Sequence, residues 1–295
     1  MAWKIGVDGG GSKTECILVD PSGAVAARHT GPGCSPTLIG AARASEIVRE
    51  ALRAVRAGNE GANVSSTLMC MAGSRVFWRD FADGLEGCGR TITADDSLPV
   101  LELATRGGPG LVLHSGTGSF VAARSPDGAV HFAGGLGWRF GDEGSGYDIG
   151  RRAVARALLE IQGWSAKSGL GVVVGALAGD QSPSEFAGRF HGGPEAVSKV
   201  AAIAPSVLRL AEDGDRVAGE TVSESVLSLL DLAVSVADRL FPGKRPKTFR
   251  AGVSGHILNH PFSYGILTAK APFPLDHITE SPIEGVRLLL ARDTL

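Results

Sequence analysis

Short apolar runs alternate with glycine-rich turns and with amphipathic segments along the first hundred or so residues. The short runs predict strands over 3–8, 14–19, 24–29, 67–71 and 90–95. Apolar positions three and four residues apart predict helices over 37–58, 75–88 and 98–107, the first stopped by Gly58 or Gly61. The predicted order is therefore β-β-β-α-β-α-β-α.

The same pattern begins again at Gly110. The segment "LVLHSGTGSFVAARSPDGAV" can be laid on "IGVDGGGSKTECILVDPSGAV", so that "SGTGS" matches "DGGGS" and "SPDGAV" matches "DPSGAV" two residues earlier in register. Two turns in the same order between matching apolar runs indicate an internal repeat. We predict an α/β protein with two homologous lobes, each presenting a glycine-rich hairpin to a cleft between them.

The second half is mainly helical in pattern. Helical periodicity covers 145–163 and 195–241, with breaks expected at Pro205 and Gly214. A strand follows over 248–255, and a final helix over 283–293 is expected after the segment "PFPLDHITESP". The predicted domains are an N-terminal lobe, 1–107, which the C-terminal helix (283–295) could join, and a C-terminal lobe, 108–282, with a helical insert.

Composition bounds the class of protein. The 295 residues are 43% hydrophobic, and no apolar run approaches the ~20 residues that span a bilayer. The N-terminus lacks a basic region followed by an apolar stretch, so a cytoplasmic protein is expected. The net charge of −2 with scattered basic residues excludes an electrostatic footprint for nucleic acid.

Four cysteines show no C-x-x-C spacing, which argues against a zinc site and a redox pair. Cys16 and Cys70 lie inside apolar runs and are expected in the core. Glycine is the unusual residue, with 42 in the chain against a usual ~7%.

The first glycine-rich turn, "DGGGSKT", spans Asp8 to Thr14. The P-loop motif fails because Ser12 separates Gly11 from Lys13, and the dinucleotide motif lacks its third glycine. Successive backbone N–H groups at a hairpin tip can still form a nest for phosphate, and Asp8 would supply a hard oxygen for Mg²⁺. The alternative is a tight hairpin with an aspartate turn residue, which needs only one glycine.

The matching turn "HSGTGS" offers a second nest and the hydroxyls of Ser115, Thr117 and Ser119. His114 could be a ligand, although a single histidine at the end of an apolar strand is more often a core residue. Two nests on two lobes could hold one polyphosphate.

Two further segments carry carboxylates. The segment "GGLGWRFGDEGSGYDIG" (134–150) leads into a helix. Helix capping explains its acidic residues, but the glycines around two aromatic residues and an arginine fit better with a cleft wall whose carboxylates face hydroxyl groups of a ligand. In "TITADDSLP", Asp95 and Asp96 follow a strand at its carboxyl end, where α/β sheets bind ligands. Capping of the next helix by Asp96 or Ser97 leaves one aspartate unexplained.

Taken together, these segments resemble the sugar kinase/Hsp70/actin superfamily and, within it, the N-acetylglucosamine kinase group of the BadF/BadG/BcrA/BcrD ATPase family. The resemblance covers essentially the whole chain through "DGGGSKT", "TADDS", "SGTGS", "GDEGSGYDIG" and "AGVSG". It implies two ribonuclease H-like (actin-like ATPase) lobes, ATP and Mg²⁺ as cofactors, and a homodimer.

The resemblance also implies residue roles. It makes Asp95 the general base, with contact to the sugar, while Asp8 is the metal ligand by the hairpin argument above. The residues implied for ATP are Asp8, Gly9, Gly10, Gly11, Ser12, Lys13, Thr14, Gly116, Thr117, Gly118, Ser119, Gly252 and, less securely aligned, Ala211. Those implied for the sugar are Ser35, Asp95, Gly135, Leu136, Gly137 and Asp142.

The chain departs from the family at two sugar-side positions. Ser35 stands where asparagine is common, and Leu136 replaces a tryptophan, although Trp138 follows two residues later. These departures leave the identity of the sugar open and phosphoryl transfer unchanged. The implied activity is ATP-dependent phosphorylation of N-acetylglucosamine or glucosamine by in-line transfer, with lobe closure excluding water. The alternatives are an ATPase activator or a sugar sensor without catalysis, the latter disfavoured by Asp95.

Overall fold

A computed structural model describes residues 2–179, 181–190, 194–243 and 249–292. The chain divides into two compact units, Met1–Arg106 with Glu280–Leu295, and Gly107–Thr279. None of the helices in the described ranges is long and apolar enough to cross a lipid bilayer.

Unit 1 contains a five-stranded sheet in the order β3-β2-β1-β4-β5. β1, β2 and β3 are antiparallel neighbours, and β4 and β5 continue the sheet parallel to β1. Helices cover both faces of this sheet. The strands are β1 (Trp3–Gly9), β2 (Lys13–Val19), β3 (Val25–Pro32), β4 (Val64–Met71) and β5 (Arg90–Asp95), and the helices are α1 (Pro36–Ile39), α2 (Ala41–Arg56), α3 (Arg75–Asp83) and α4 (Ser97–Thr105).

Unit 2 repeats this topology in the order β10-β9-β6-β7-β8. The strands are β6 (Gly110–Ser115), β7 (Ser119–Arg124), β8 (Val130–Gly134), β9 (Arg250–Ser254) and β10 (Asp276–His277). The helices are α5 (Gly146–Ile161), α6 (Gly169–Ala178), α7 (Pro183–Gly188), α8 (Pro194–Ala201), α9 (Ala204–Glu212), α10 (Arg216–Leu240) and α11 (Pro261–Lys270), and α12 (Pro282–Ala291) returns to unit 1. The repeat predicted from the two glycine-rich hairpins is thus confirmed as repeated sheet topology.

Apolar side chains make α12 part of the core of unit 1. Ile283, Val286 and Leu290 of this helix pack with Ile17 and Leu68 of the sheet. The opposite face of the sheet packs on α2, whose buried positions follow helical spacing. Unit 2 has its own large core, in which the long α10 lies across the sheet.

The structure corrects several predicted boundaries. The helix predicted over 37–58 divides at Gly40, whose φ of +82° interrupts the helix, and the helix predicted over 75–88 ends at Asp83. The breaks expected at Pro205 and Gly214 correspond to the ends of α8 and α9, and Pro205 lies in the first turn of α9, where proline is tolerated. Helices α6, α7 and α11 were not predicted. The predicted ends at Thr248 and Asp293 lie outside the described residues.

All four cysteines are free and buried. The core positions predicted for Cys16 and Cys70 are confirmed, since both side chains are fully buried.

Candidate active site

The first glycine-rich segment is the tip of the β1–β2 hairpin. The Gly10 amide donates to the Lys13 carbonyl at 3.0 Å, and the Gly10 carbonyl accepts from the Cys34 amide at the same distance. Packing explains Gly9, where an added Cβ would lie 2.4 Å from the Met71 methyl carbon. At Gly10 the nearest atom would be 3.6 Å away, and φ lies outside the left-handed region. Neither folding nor packing therefore requires glycine at position 10.

The second glycine-rich segment is the tip of the β6–β7 hairpin in unit 2. At Gly116 an added Cβ would be in ordinary contact, 3.7 Å from His256 and 3.9 Å from His114. Gly118 is different, because its Cβ would approach Asp142 Oδ2 to 3.0 Å. Each hairpin thus has a central glycine that intramolecular packing leaves unexplained, as expected where a ligand approaches bare backbone.

Segment 141–146 is hydrogen-bonded to the second hairpin along its length. The hydroxyl of Ser115 donates to the Gly144 carbonyl at 2.7 Å, and that of Ser119 donates to the Glu143 carbonyl at 2.5 Å. Ser145 is the N-cap of α5, where its hydroxyl accepts from the Asp148 amide at 3.1 Å. The two predicted binding segments of unit 2 therefore form one piece of structure.

Asp142 lies within this piece in a left-handed conformation, with φ of +64°. Its side chain is buried, and burial raises the pKa of Asp142 while backbone donors at Ser119 and Gly137 oppose the rise. A non-glycine residue at this φ is strained unless its surroundings hold it, and such strain clusters at functional sites. The carboxylate faces the second hairpin. Its predicted sugar contact stays a prediction.

The glycines of segment 134–137 have a conformational explanation. Gly134, Gly135 and Gly137 have φ of +70°, +64° and +87°. Leu136, between them, is 74% exposed, and Trp138 stacks under the Arg139 guanidinium at 4.7 Å. The predicted contacts of Gly135, Leu136 and Gly137 with the sugar stay predictions.

Two carboxylates at the end of β5 differ in their surroundings. Asp95 Oδ2 accepts from Arg75 at 3.1 Å, and its Oδ1 accepts from the amide of Ser97 at 3.2 Å and from the hydroxyl of the same residue. Asp95 therefore caps α4 and pairs with an exposed arginine at the start of α3. Asp96 has the cap position in the backbone but makes no side-chain capping bond.

The strand register places Asp95 and Asp8 on opposite faces of the sheet. Asp95 pairs with Met71, which pairs with Gly9, so these three positions share one face. Asp8 pairs with Cys70 on the other face, which packs on α12. Asp96 is close enough to Asp8 to raise its pKa, which puts these two carboxylates in one cluster.

Burial dominates the electrostatics of this cluster. It raises the pKa of Asp8 to about 8, Asp96 and Glu15 add to the rise, and Lys13 opposes it. Burial and the neighbouring Asp95 raise the pKa of Asp96 to about 7. A bound cation would stabilise both carboxylates in the ionised form.

The donor set at Asp8 fits Mg²⁺, which binds through one or two protein carboxylates and completes its octahedron with water and phosphate oxygens. A self-contained metal cage is absent from the described residues, which form no group of three or more His, Cys, Asp or Glu able to hold a metal.

The remaining predicted ATP and sugar residues are dispersed. Gly252 lies in the middle of β9, buried between β6 and β10, and Ala211 packs in the core of unit 2. Ser12 is exposed at the first hairpin tip, while the Thr14 hydroxyl donates to the Pro32 carbonyl at 2.8 Å. Ser35 is buried and precedes α1 without capping it.

Sequence reasoning gave no role to Arg75, Glu15 or His256. Arg75 pairs with Asp95 across 20 residues of sequence, which no local pattern could indicate. The position of Glu15 could have been predicted from the sequence, because the expected β1–β2 hairpin places it directly opposite Asp8.

Comparison with known proteins decides the family. The profile of the BadF/BadG/BcrA/BcrD ATPase family matches residues 5–257. The chain belongs to that family. The predicted membership of the BadF/BadG/BcrA/BcrD ATPase family and the predicted α/β fold of two repeated units are thus confirmed.

Two named relatives are similar in sequence. An N-acetyl-D-glucosamine kinase of Dictyostelium discoideum is 26% identical over 270 residues, covering 86% of this chain and 85% of the relative. An N-acetylmuramic acid/N-acetylglucosamine kinase of Clostridium acetobutylicum is 33% identical over 171 residues, about half of each protein at 54%.

Solved structures of the same fold include two provisionally described as N-acetylglucosamine kinases. The one from Chromobacterium violaceum has a TM-score of 0.78 at 25% identity and covers 98% of this chain and 99% of its own. The one from Porphyromonas gingivalis has a TM-score of 0.80 at 16% identity, with coverages of 99% and 100%. A ROK family glucokinase from Streptomyces griseus shares the fold at a TM-score of 0.58 and 15% identity, covering 97% of each chain.

Proposed function

We propose that this protein is an ATP-dependent kinase that transfers the γ-phosphoryl group to a hydroxyl of an amino sugar, N-acetylglucosamine or glucosamine. The observation that carries the proposal is the pair of glycines, Gly10 and Gly116, that neither backbone conformation nor packing requires. Both relatives found by sequence are named kinases of N-acetylated amino sugars, in agreement with the predicted class of activity.

Phosphoryl transfer depends on positioning and charge neutralisation, which the chain provides through backbone and carboxylates. The amides of the two hairpins bind phosphate oxygens. Asp8 would hold Mg²⁺, which would supply neutralising charge at the phosphates. A cytoplasmic location and a homodimer are further parts of this proposal.

A carboxylate at the end of β5 accepts the proton of the sugar hydroxyl. Asp95 was predicted for this role from the resemblance, and that assignment stays a prediction. We favour Asp96, because Asp95 is engaged by Arg75 and Ser97, whereas Asp96 makes no capping bond and lies beside both Asp95 and Asp8. In this version Asp95 caps α4 and fixes the turn that carries the base.

A coupled ADP-release assay tests the activity. The purified protein with MgATP is assayed against glucosamine, N-acetylglucosamine, N-acetylmuramic acid, N-acetylmannosamine and glucose. We expect turnover with at least one of the first two sugars and little with glucose. ADP release that does not depend on any sugar would contradict the kinase and favour an ATPase. Nucleotide binding without ADP release would favour the non-catalytic sensor.

A further inference from the structure

Charged side chains and one hydroxyl form a cluster beside the first hairpin of unit 1. The Lys13 ammonium lies 2.5 Å from Glu15 Oε2 and 3.0 Å from Ser281 Oγ. Ser281 also donates to Glu15. On the other side of Glu15, the Arg28 guanidinium lies 3.6 Å from Oε1 and pairs with Glu284 at 2.5 Å. The tip of the hairpin is thus linked to the residue that caps α12 in the backbone.

Glu15 is the centre of this cluster, and its side chain is only 8% exposed. It lies directly opposite Asp8 across β1 and β2, and its charge contributes to the raised pKa of Asp8. Burial opposes its ionisation, but hydrogen bonds from Lys13 and Ser281 and the charges of Lys13 and Arg28 hold the pKa of Glu15 below its usual value. A buried carboxylate is costly unless it is paired and hydrogen-bonded, and Lys13, Ser281 and Arg28 supply those contacts to Glu15.

One carboxylate oxygen of Glu15 accepts from Lys13 and Ser281, and the other lies beside Arg28. A lysine at a hairpin tip has several rotatable bonds, and fixing its ammonium on binding a ligand costs conformational entropy. Glu15 and Ser281 hold that ammonium from two sides before any ligand arrives. The conformational entropy of the Lys13 side chain is then lost on folding and not on binding, so the interaction with phosphate contributes more to the binding free energy.

We propose that Glu15 is a positioning residue that, with Ser281, holds the Lys13 ammonium in place at the first phosphate-binding hairpin. The inference rests on the proposed function, since it assumes that this hairpin binds the phosphates of ATP. Glu15 acts through Lys13 and touches neither ATP nor sugar. α12 thereby contributes to nucleotide binding through the residue at its N-cap position.

A double-mutant cycle tests the proposal, because Glu15 has two opposite effects on phosphate. Its carboxylate repels the phosphates whether or not Lys13 is present, whereas its positioning effect exists only when Lys13 is there. The variants are Glu15→Gln, Lys13→Met and the two combined. The dissociation constant of MgATP is measured by isothermal titration calorimetry, with thermal unfolding of every variant.

We expect Lys13→Met to weaken MgATP binding about tenfold, the range for one charge-assisted contact. Glu15→Gln alone should weaken it about fivefold through lost preorganisation, and in the Lys13→Met background it should have less than about a twofold effect. Glu284→Gln is the matched control, since it removes the other partner of Arg28 and leaves the contacts of Lys13 in place. It should change binding by less than about twofold.

Other outcomes overturn the inference. Unchanged or tighter binding in Glu15→Gln, or an equal loss in both backgrounds, excludes positioning through Lys13. If Glu15→Gln does not fold, Ser281→Ala takes its place in the same cycle with the same criteria. Failure of the proposed function is distinct, because then the wild-type protein does not bind MgATP. If the wild-type protein binds MgATP and Lys13→Met leaves the affinity unchanged, only the inference about Glu15 and Lys13 is overturned.

Discussion

The Gly146 amide donates a hydrogen bond to the Gly116 carbonyl at 2.8 Å, and the next amide, of Tyr147, donates to the Thr117 carbonyl at 3.2 Å. The first amides of a helix lack partners within the helix. In α5 two of them bind the second hairpin. The carbonyl groups of the hairpin are therefore held by the N-terminus of α5. An added Cβ at Gly116 makes only ordinary contacts, so a substitution there tests whether a ligand approaches this backbone.

Gly10→Val and Gly116→Val should each weaken MgATP binding at least about tenfold, because the added side chain holds phosphates away from the backbone amides. Sugar binding should change much less. Gly61→Val is the control, since no atom lies within 4 Å of an added Cβ there. Calorimetric titration of each folded variant gives the result. A loss of thermal stability with unchanged ATP affinity would mean that the hairpins are turns only.

Replacing the general base should lower kcat by at least about 10² while the fold and nucleotide affinity are kept. The hydrogen-bond geometry favours Asp96→Asn as the inactive variant, whereas the family resemblance favours Asp95→Asn. Steady-state kinetics with thermal unfolding separates the two. Asp95→Asn should also destabilise α4, because Asp95 accepts from the Ser97 amide. Full kcat in both variants would remove this segment from the chemistry.

Ser35→Asn should change the preference among amino sugars. Asparagine offers a donor and an acceptor on a longer side chain, so gaining or losing one buried contact shifts discrimination by about 1–3 kcal/mol. The alternative is that Ser35 is only a turn residue between Gly33 and Pro36, where its carbonyl accepts from the amides of Leu38 and Ile39. Ratios of kcat/KM between sugars give the result, with KM for ATP nearly constant. Equal ratios in wild type and variant would exclude Ser35 from the sugar site.

Acid should destabilise the protein through His114. Burial and the neighbouring His256 lower its pKa to about 4, and its Nδ1 lies 3.2 Å from the Ser254 hydroxyl. Between about pH 6.5 and 4 the unfolded chain binds a proton at this position that the folded chain does not, so stability falls as pH falls.

The measurement is urea unfolding of wild type and His114→Asn across this range. The difference between them should change by no more than about 1.4 kcal/mol per pH unit, with wild type losing more on acidification. Parallel profiles would show that the pKa of His114 is the same in the folded and the unfolded chain.

The repeat was predictable because both hairpins keep glycine and turn residues in the same order. Helices α6 and α11 were not predicted because α6 is almost wholly apolar or glycine, and α11 has few buried positions, so neither shows amphipathic periodicity. The break at Gly40 depends on a single left-handed residue inside a periodic pattern.

The candidate site was predictable where neighbours in sequence act together. The segments around Asp8, Gly116 and Asp142 carry recognisable turns. Choosing between Asp95 and Asp96 needs the register of β5 against β4 and the pairing with Arg75, and both depend on the folded chain. The link from Lys13 to Ser281 spans 268 residues and is beyond any local pattern.

The return of the chain to unit 1 has a consequence for synthesis. Unit 2 ends at Thr279, so its whole sequence is made before α12 emerges from the ribosome. Until then the sheet face around Ile17 and Leu68 lacks its apolar cover, and exposed apolar surface of this kind favours aggregation. We expect unit 2 to become protease-resistant on the nascent chain before unit 1, although it is made later. Pulse proteolysis of stalled chains checks this order, in which unit 1 completes its core only after α12 has been made.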